Sequence, residues 1–282
     1  MVGGVGSQAP FTTSAYAYPK GYATVPHGVY SGGMRLIEYL LAGLGVGVVF
    51  GIFGAGGSAF ATPVLAMLGV SGLAAVASPL PAMIPAAFVS ARKYLTAGNL
   101  DRRVAKLAII GGVPGALLGA LASKFFGGDR LLILSGVLLL VIGARMLMPD
   151  RTGSSARCAN RRGNSPIVLG SSFGVGLLTG LLANGGGFLL VPLFVLVLGL
   201  GSIEAAGTSM VVVGILTFPT LATHWALGHI DWTVAGGFAA GLIPASMFGA
   251  KVAQRIPAER SRMTFGAMLV AFSIWFLIRQ LT

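Results

Sequence analysis

Charge is scarce in this chain. Only 9% of its 282 residues are Asp, Glu, Lys or Arg, where a soluble domain carries about 25%. No charged residue lies between Glu38 and Arg92, a gap of 53 residues, or between Arg162 and Glu204, a gap of 41. A membrane helix takes about 20 apolar residues, so each gap holds more than one span. A soluble globular class is thereby excluded. No ionisable group sits deep in an apolar run, which weighs against a proton relay of buried carboxylates. No cluster of His, Cys and carboxylates weighs against metal handling, and neither a metal site nor a cofactor is expected. Cysteine is nearly absent as well. The single Cys158 lies in a basic loop and excludes an intrachain disulfide. There is no Walker motif, so ATP hydrolysis by this chain is not expected.

What charge there is has one sign. Nineteen Lys and Arg face seven Asp and Glu, giving +12. In a soluble protein that would point to nucleic acid. Here the basic residues fall between apolar runs, so they read as topology signals at a membrane surface, and no nucleic-acid partner is expected. Residues 1–33 are polar and lack the basic start and apolar core of a signal peptide. They are expected to form a flexible tail.

Glycine is abundant, with 44 residues, and its placement is informative. Gly51-Ile52-Phe53-Gly54-Ala55-Gly56-Gly57 is followed by Pro63, and Gly180-Leu181-Leu182-Ala183-Asn184-Gly185-Gly186-Gly187 by Pro192. Gly51, Gly56, Gly57 and Pro63 each match a residue 129 positions later. Tyr94, Gly98, Asp101, Gly111, Pro114 and Gly119 align with His224, Gly228, Asp231, Gly241, Pro244 and Gly249, 130 positions later. Recurrent Gly, Pro and Asp in one register indicate an internal duplication.

Ten apolar segments can be drawn, at about 34–54, 58–70, 73–91, 104–123, 130–148, 166–183, 188–200, 204–226, 232–251 and 261–280. The second and seventh are too short to span. Thirteen helical residues rise about 20 Å against a hydrocarbon core of about 30 Å, so these two are expected as half-helices. The third holds Pro79, Pro81 and Pro85 and should be kinked or interrupted. The organisation that follows is a tail (1–33), a membrane repeat (34–150), a basic cytoplasmic linker (151–165) and a second membrane repeat (166–282). Five segments per repeat invert the second half. If the loops after segments 3, 5 and 9 share a side, 14 of the 19 basic residues lie there. That side is cytoplasmic by the positive-inside rule, and both termini are extracytoplasmic.

A break inside a membrane helix frees backbone groups that protein, water or a ligand must satisfy. Matched breaks in two halves point to a transporter binding site. The freed N–H groups of the downstream half-helix can hold an anion without a buried cation. The candidate substrate-binding residues are therefore Gly54, Ala55, Gly56, Gly57 and Ser58 in one half and Asn184, Gly185, Gly186 and Gly187 in the other. Gly45, Gly47, Gly174 and Gly176 read instead as packing glycines. Ser78, Thr208 and Ser209, on the segments expected beside the breaks, could line the path or bond to their own helices. His224 and its repeat mate Tyr94 are candidates for coupling or gating, or are interfacial residues at a helix end. Asp101 and Asp231 read as helix N-caps.

The duplicated Gly-x-x-(Gly/Ala)-x-Gly-Gly pattern, the downstream prolines and the Tyr94-x-x-x-Gly98-x-x-Asp101 stretch resemble the TauE/SafE family of sulfite exporters. The resemblance covers about residues 36–281. It implies an all-α, polytopic secondary transporter of the bacterial inner membrane that moves small sulfur-containing anions such as sulfite, sulfoacetate or other organosulfonates. The partners expected are a small anion and the lipid bilayer, with a homo-oligomer left open. The rival readings are an intramembrane enzyme using Ser58 and His224 and a passive anion channel.

Overall fold

The computed structural model describes residues 32–70, 72–122, 128–148, 164–181, 189–226 and 228–281, and every regular element in them is helical. In chain order these are α1 (Gly32–Phe53), a 3-10 segment (Gly54–Phe60), α2 (Ala61–Met67), α3 (Gly72–Ala77), α4 (Leu80–Thr96), α5 (Arg102–Ala122) and α6 (Gly128–Leu147). There follow α7 (Ser165–Leu181), the single turn α8 (Leu190–Pro192) running into a π-type turn (Leu193–Val197), α9 (Ser202–Ala226), α10 (Trp232–Ala253) and α11 (Ala258–Leu281). Five stretches are long and apolar enough to cross a bilayer: Met34–Phe53, Ala74–Thr96, Ser202–Ala226, Trp232–Ala253 and Ala258–Ile278. The chain is an all-α polytopic membrane protein.

Breaks occur where glycine and proline demand them. α1 stops at Phe53, and α2 is only seven residues long. The third apolar segment is split at Ser78-Pro79. Pro79 caps α4 and Pro81 sits in its first turn, where the missing N–H has no intrahelical partner to lose. Pro85, Pro114, Pro219 and Pro244 lie within continuous helices, as membrane helices tolerate.

α4 and α9 end in the same motif. Gly98 and Gly228 take left-handed φ values of 75° and 69°. The N–H of Asn99 donates to the Tyr94 carbonyl at 2.9 Å, and that of His229 to the His224 carbonyl at 3.0 Å. Gly98 and Gly228 donate to Leu95 and Trp225. These paired bonds define a Schellman C-cap. Asp101 and Asp231 then open α5 and α10. Each carboxylate accepts two backbone N–H bonds, from Arg103 and Val104 and from Thr233 and Val234. Both are N-caps, as their position suggested.

The most extensive helix pairings are α1 with α10 and α5 with α7. Both are glycine-mediated, as expected where lipid provides no hydrophobic drive between helices. A Cβ on Gly47 would strike the Leu242 carbonyl, and one on Gly176 the Gly112 carbonyl. A Cβ on Gly241 would strike the Leu40 carbonyl, and one on Gly111 the Leu169 carbonyl. Each contact recurs with its partners shifted by 129 and 130 residues. The packing role expected for Gly47 and Gly176 holds, but Gly45 and Gly174 face open space, with nothing within 4 Å. The reason is the helix period: residues two apart lie on nearly opposite faces.

Candidate functional site

The first glycine break is built from five elements. Gly54 turns the chain out of α1 with φ +73°, a value that non-glycine residues rarely adopt. A Cβ there would lie 2.6 Å from Ala206 Cα and 2.7 Å from Ser209 Oγ, so α9 crosses the break at backbone contact. The Ala55 N–H donates to Ser209 Oγ at 3.2 Å, and that hydroxyl donates to the Ala206 carbonyl at 2.8 Å. Ser58 Oγ donates to the Ala55 carbonyl at 2.7 Å. Gly56 and Gly57 lie within the 3-10 segment.

On the other side of the break, α1 ends with carbonyls that have no helical partner. Tyr94, wholly buried on α4, sends its hydroxyl to them, 2.7 Å from Gly51 O and 3.2 Å from Ile52 O. Gly207 of α9 leaves the space its ring occupies, since a Cβ there would lie 2.6 Å from Tyr94 Cβ. Phe53 stacks on Phe265 of α11 with centroids 5.2 Å apart, and Phe60 meets Phe272 edge-on at 4.9 Å. The hydrogen bonds recorded at this break are made by backbone and hydroxyl groups.

Of the sequence candidates, the structure brings Gly54, Ala55, Ser58, Ser209 and Tyr94 together. Ser78 and Thr208 are fully buried, but their oxygens accept the N–H groups of Asp231 (3.1 Å) and Asp101 (3.0 Å). Each hydroxyl thus ties the start of a helix in the opposite half. The two bonds are equivalents in the 130-residue register. His224 stands at the end of α9, half-buried, with its Nδ1 3.2 Å from His229 Nδ1. Asn184, Gly185, Gly186 and Gly187 lie outside the described residues.

Ser90 is a residue that sequence reasoning missed. It sits on α4 one turn before Tyr94, is completely buried, and its hydroxyl has no hydrogen-bond partner among the described residues. Buried hydroxyls are normally paired. The signal available was its spacing of four from Tyr94, which puts both on one helix face.

Five apolar spans, the first of them ending in a break at a buried glycine, are what a membrane transporter requires. Residues 39–276 match the family described as Sulfite exporter TauE/SafE, and the chain belongs to that family. It is 29% identical over 243 residues to a "Probable membrane transporter protein" of Xylella fastidiosa, covering 83% of this chain and 92% of that one. It is 24% identical over 250 residues to the "Probable membrane transporter protein YunE" of Bacillus subtilis, covering 79% and 89%. It is 23% identical over 234 residues to YjnA, with the same description and organism, covering 78% and 91%. No solved structure matches it.

Proposed function

We propose that the chain is a secondary transporter that exports small sulfur-containing anions, such as sulfite, sulfoacetate or other organosulfonates, by alternating access. The observation that carries this is the first break itself. The Ala55 N–H holds only a long bond to Ser209 Oγ, an acceptor that an oxyanion would replace with a stronger, charge-assisted one. The Ser58 and Ser209 hydroxyls, which here donate to the Ala55 and Ala206 carbonyls, would turn to the anion, and Ser90 adds an uncommitted hydroxyl on the α4 face that carries Tyr94. The substrate lies between this break and the Ala183–Gly187 break, with Asn184 supplying a side-chain donor and Gly185, Gly186 and Gly187 the backbone N–H groups.

The two halves, 34–150 and 166–282, are inverted repeats in the inner membrane of a bacterium, joined by a basic cytoplasmic linker and with both termini outside. The reciprocal contacts of α1 with α10 and of α5 with α7 support the duplication. The contrast between five basic residues in the loop around Asp101 and none around Asp231 supports the inversion. Moving one negative charge outward across a membrane that is negative inside releases about 2.3 kcal/mol per 100 mV, so export needs no buried proton carrier. Gly187 stands where the second half would repeat Ser58, which disfavours an enzyme built on Ser58 and His224.

Flux in proteoliposomes tests the reading. Sulfite or sulfoacetate is expected to move saturably, to show counterflow, and to accelerate under a potential that draws anions out. If sulfite, thiosulfate, sulfoacetate and sulfate all fail to move, the substrate class is wrong. Unsaturated flux without counterflow would make the protein a channel.

A further inference from the structure

The end of α9 carries a second chemistry that the anion path does not use. In a Schellman cap, the residue three before the final capped position and the residue two after it are brought into side-chain contact, and that contact is ordinarily hydrophobic. Here the two positions are His224 and His229, and the motif's two backbone bonds are both made, His229 N–H to His224 O and Gly228 N–H to Trp225 O, each at 3.0 Å. The backbone therefore dictates that two imidazoles meet. Their Nδ1 atoms are 3.2 Å apart, with ring centroids at 5.3 Å and planes at 60°.

That spacing matches metal ligation. Two nitrogens each 2.0–2.1 Å from a tetrahedral Zn²⁺ lie about 3.3 Å apart. Without an ion, one ring must donate its Nδ1 proton and the other accept it. With both protons on Nε2, the two Nδ1 lone pairs face each other across 3.2 Å, and a tilt of each ring by about 35° would turn both to one tetrahedral ion. We propose that His224 and His229 form a binding site for a borderline transition-metal ion such as Zn²⁺, with water completing the shell. Among the described residues no group of three or more His, Cys, Asp or Glu is gathered, so the pair supplies both protein ligands. The site lies at the membrane–water boundary. Trp225 and Trp232 flank it, 65% and 57% exposed, in edge-on contact at 6.3 Å, as in an interfacial aromatic belt.

The site is one-sided. The equivalent cap in the first half carries Tyr94 and Asn99, and Tyr94 is committed to α1. An ion on the histidines would clamp the turn between α9 and α10. Through Asp231 N–H and Ser78 Oγ that turn is tied to the gap between α3 and α4, and Ile230 packs there on Ala77.

The test is calorimetric titration of ZnCl₂ into the full chain in detergent, purified without a polyhistidine tag. One Zn²⁺ per chain is expected. His224→Tyr and His229→Asn introduce the residues that the first half tolerates in the same turn, so folding is expected to survive, as a melting curve would verify. Each should raise Kd by more than about tenfold, a loss that even outer-shell partners cause at metal sites, and the double variant should bind none. His27→Ala, removing the remaining histidine of the chain, should leave Kd unchanged. No binding at millimolar zinc overturns the proposal, as does unchanged binding by the folded double variant or loss of binding in His27→Ala.

Discussion

Replacing Gly54 by alanine puts one methyl group into the tightest point of the break. Two costs are separable. The left-handed φ of +73° costs a residue with a Cβ about 1–2 kcal/mol. The methyl would also sit 2.6 Å from Ala206 Cα and 2.8 Å from the Ala206 carbonyl oxygen. Both are backbone atoms that cannot rotate away, so α1 and α9 must part, at about 1–3 kcal/mol for overpacking. Gly98 supplies the control, since its φ of +75° is nearly the same but nothing lies within 4 Å of its added Cβ. Gly98→Ala should lose about 1–2 kcal/mol and Gly54→Ala about 2–5 kcal/mol. Against a total of about 5–15 kcal/mol, Gly98→Ala remains folded and Gly54→Ala does so over all but the bottom of that range. Equilibrium unfolding in mixed micelles measures the difference, and anion flux in proteoliposomes measures its effect on the site. Transport should fall in Gly54→Ala and persist in Gly98→Ala. Equal destabilisation of the two would refute the claim that α9 crosses the break at backbone contact.

Tyr94→Phe removes the hydroxyl that serves Gly51 O and Ile52 O, and should cost about 1–3 kcal/mol for the stranded carbonyls, read from the same unfolding titration. Ser78→Ala and Thr208→Val remove equivalent acceptors from Asp231 N–H and Asp101 N–H. Their losses should agree within about 0.5 kcal/mol of each other and add in the double variant, as separate sites do. Asp231→Ala deletes an N-cap that accepts two N–H bonds and should cost about 0.5–2 kcal/mol, detected as a lower melting temperature. Gly47→Val should disrupt α1 against α10, whereas Gly45→Val, facing open space, should leave stability unchanged.

Local features were legible in the chain because they depend on neighbours in sequence. Gly54 at the break, the split at Ser78-Pro79, the short segments and the Asp101 and Asp231 caps all follow from backbone permissiveness and unpaired N–H groups. What needed three dimensions was pairing. Apolar runs of similar composition do not say that α1 lies against α10. Tyr94 looked interfacial from its place near a helix end, yet it is wholly buried because its hydroxyl meets the end of α1 at Gly51, 43 residues upstream. Ser90 was invisible for the same reason: a serine in an apolar helix usually bonds to its own backbone, and only burial without a partner sets it apart. Gly45 and Gly47 seemed alike by their matched register, and only the neighbouring helix distinguished them.

The α1–α10 pairing has a consequence for how the protein is made. α1 leaves the ribosome first, but its partner begins at Trp232. At about 5–20 residues per second, α1 waits roughly ten to forty seconds in the bilayer before α10 is complete. During that interval the groove formed by Gly43, Gly47 and Gly51 meets only lipid, and so does that of any neighbouring nascent chain. A freshly inserted first half therefore presents a close-packing surface whose own partner does not yet exist.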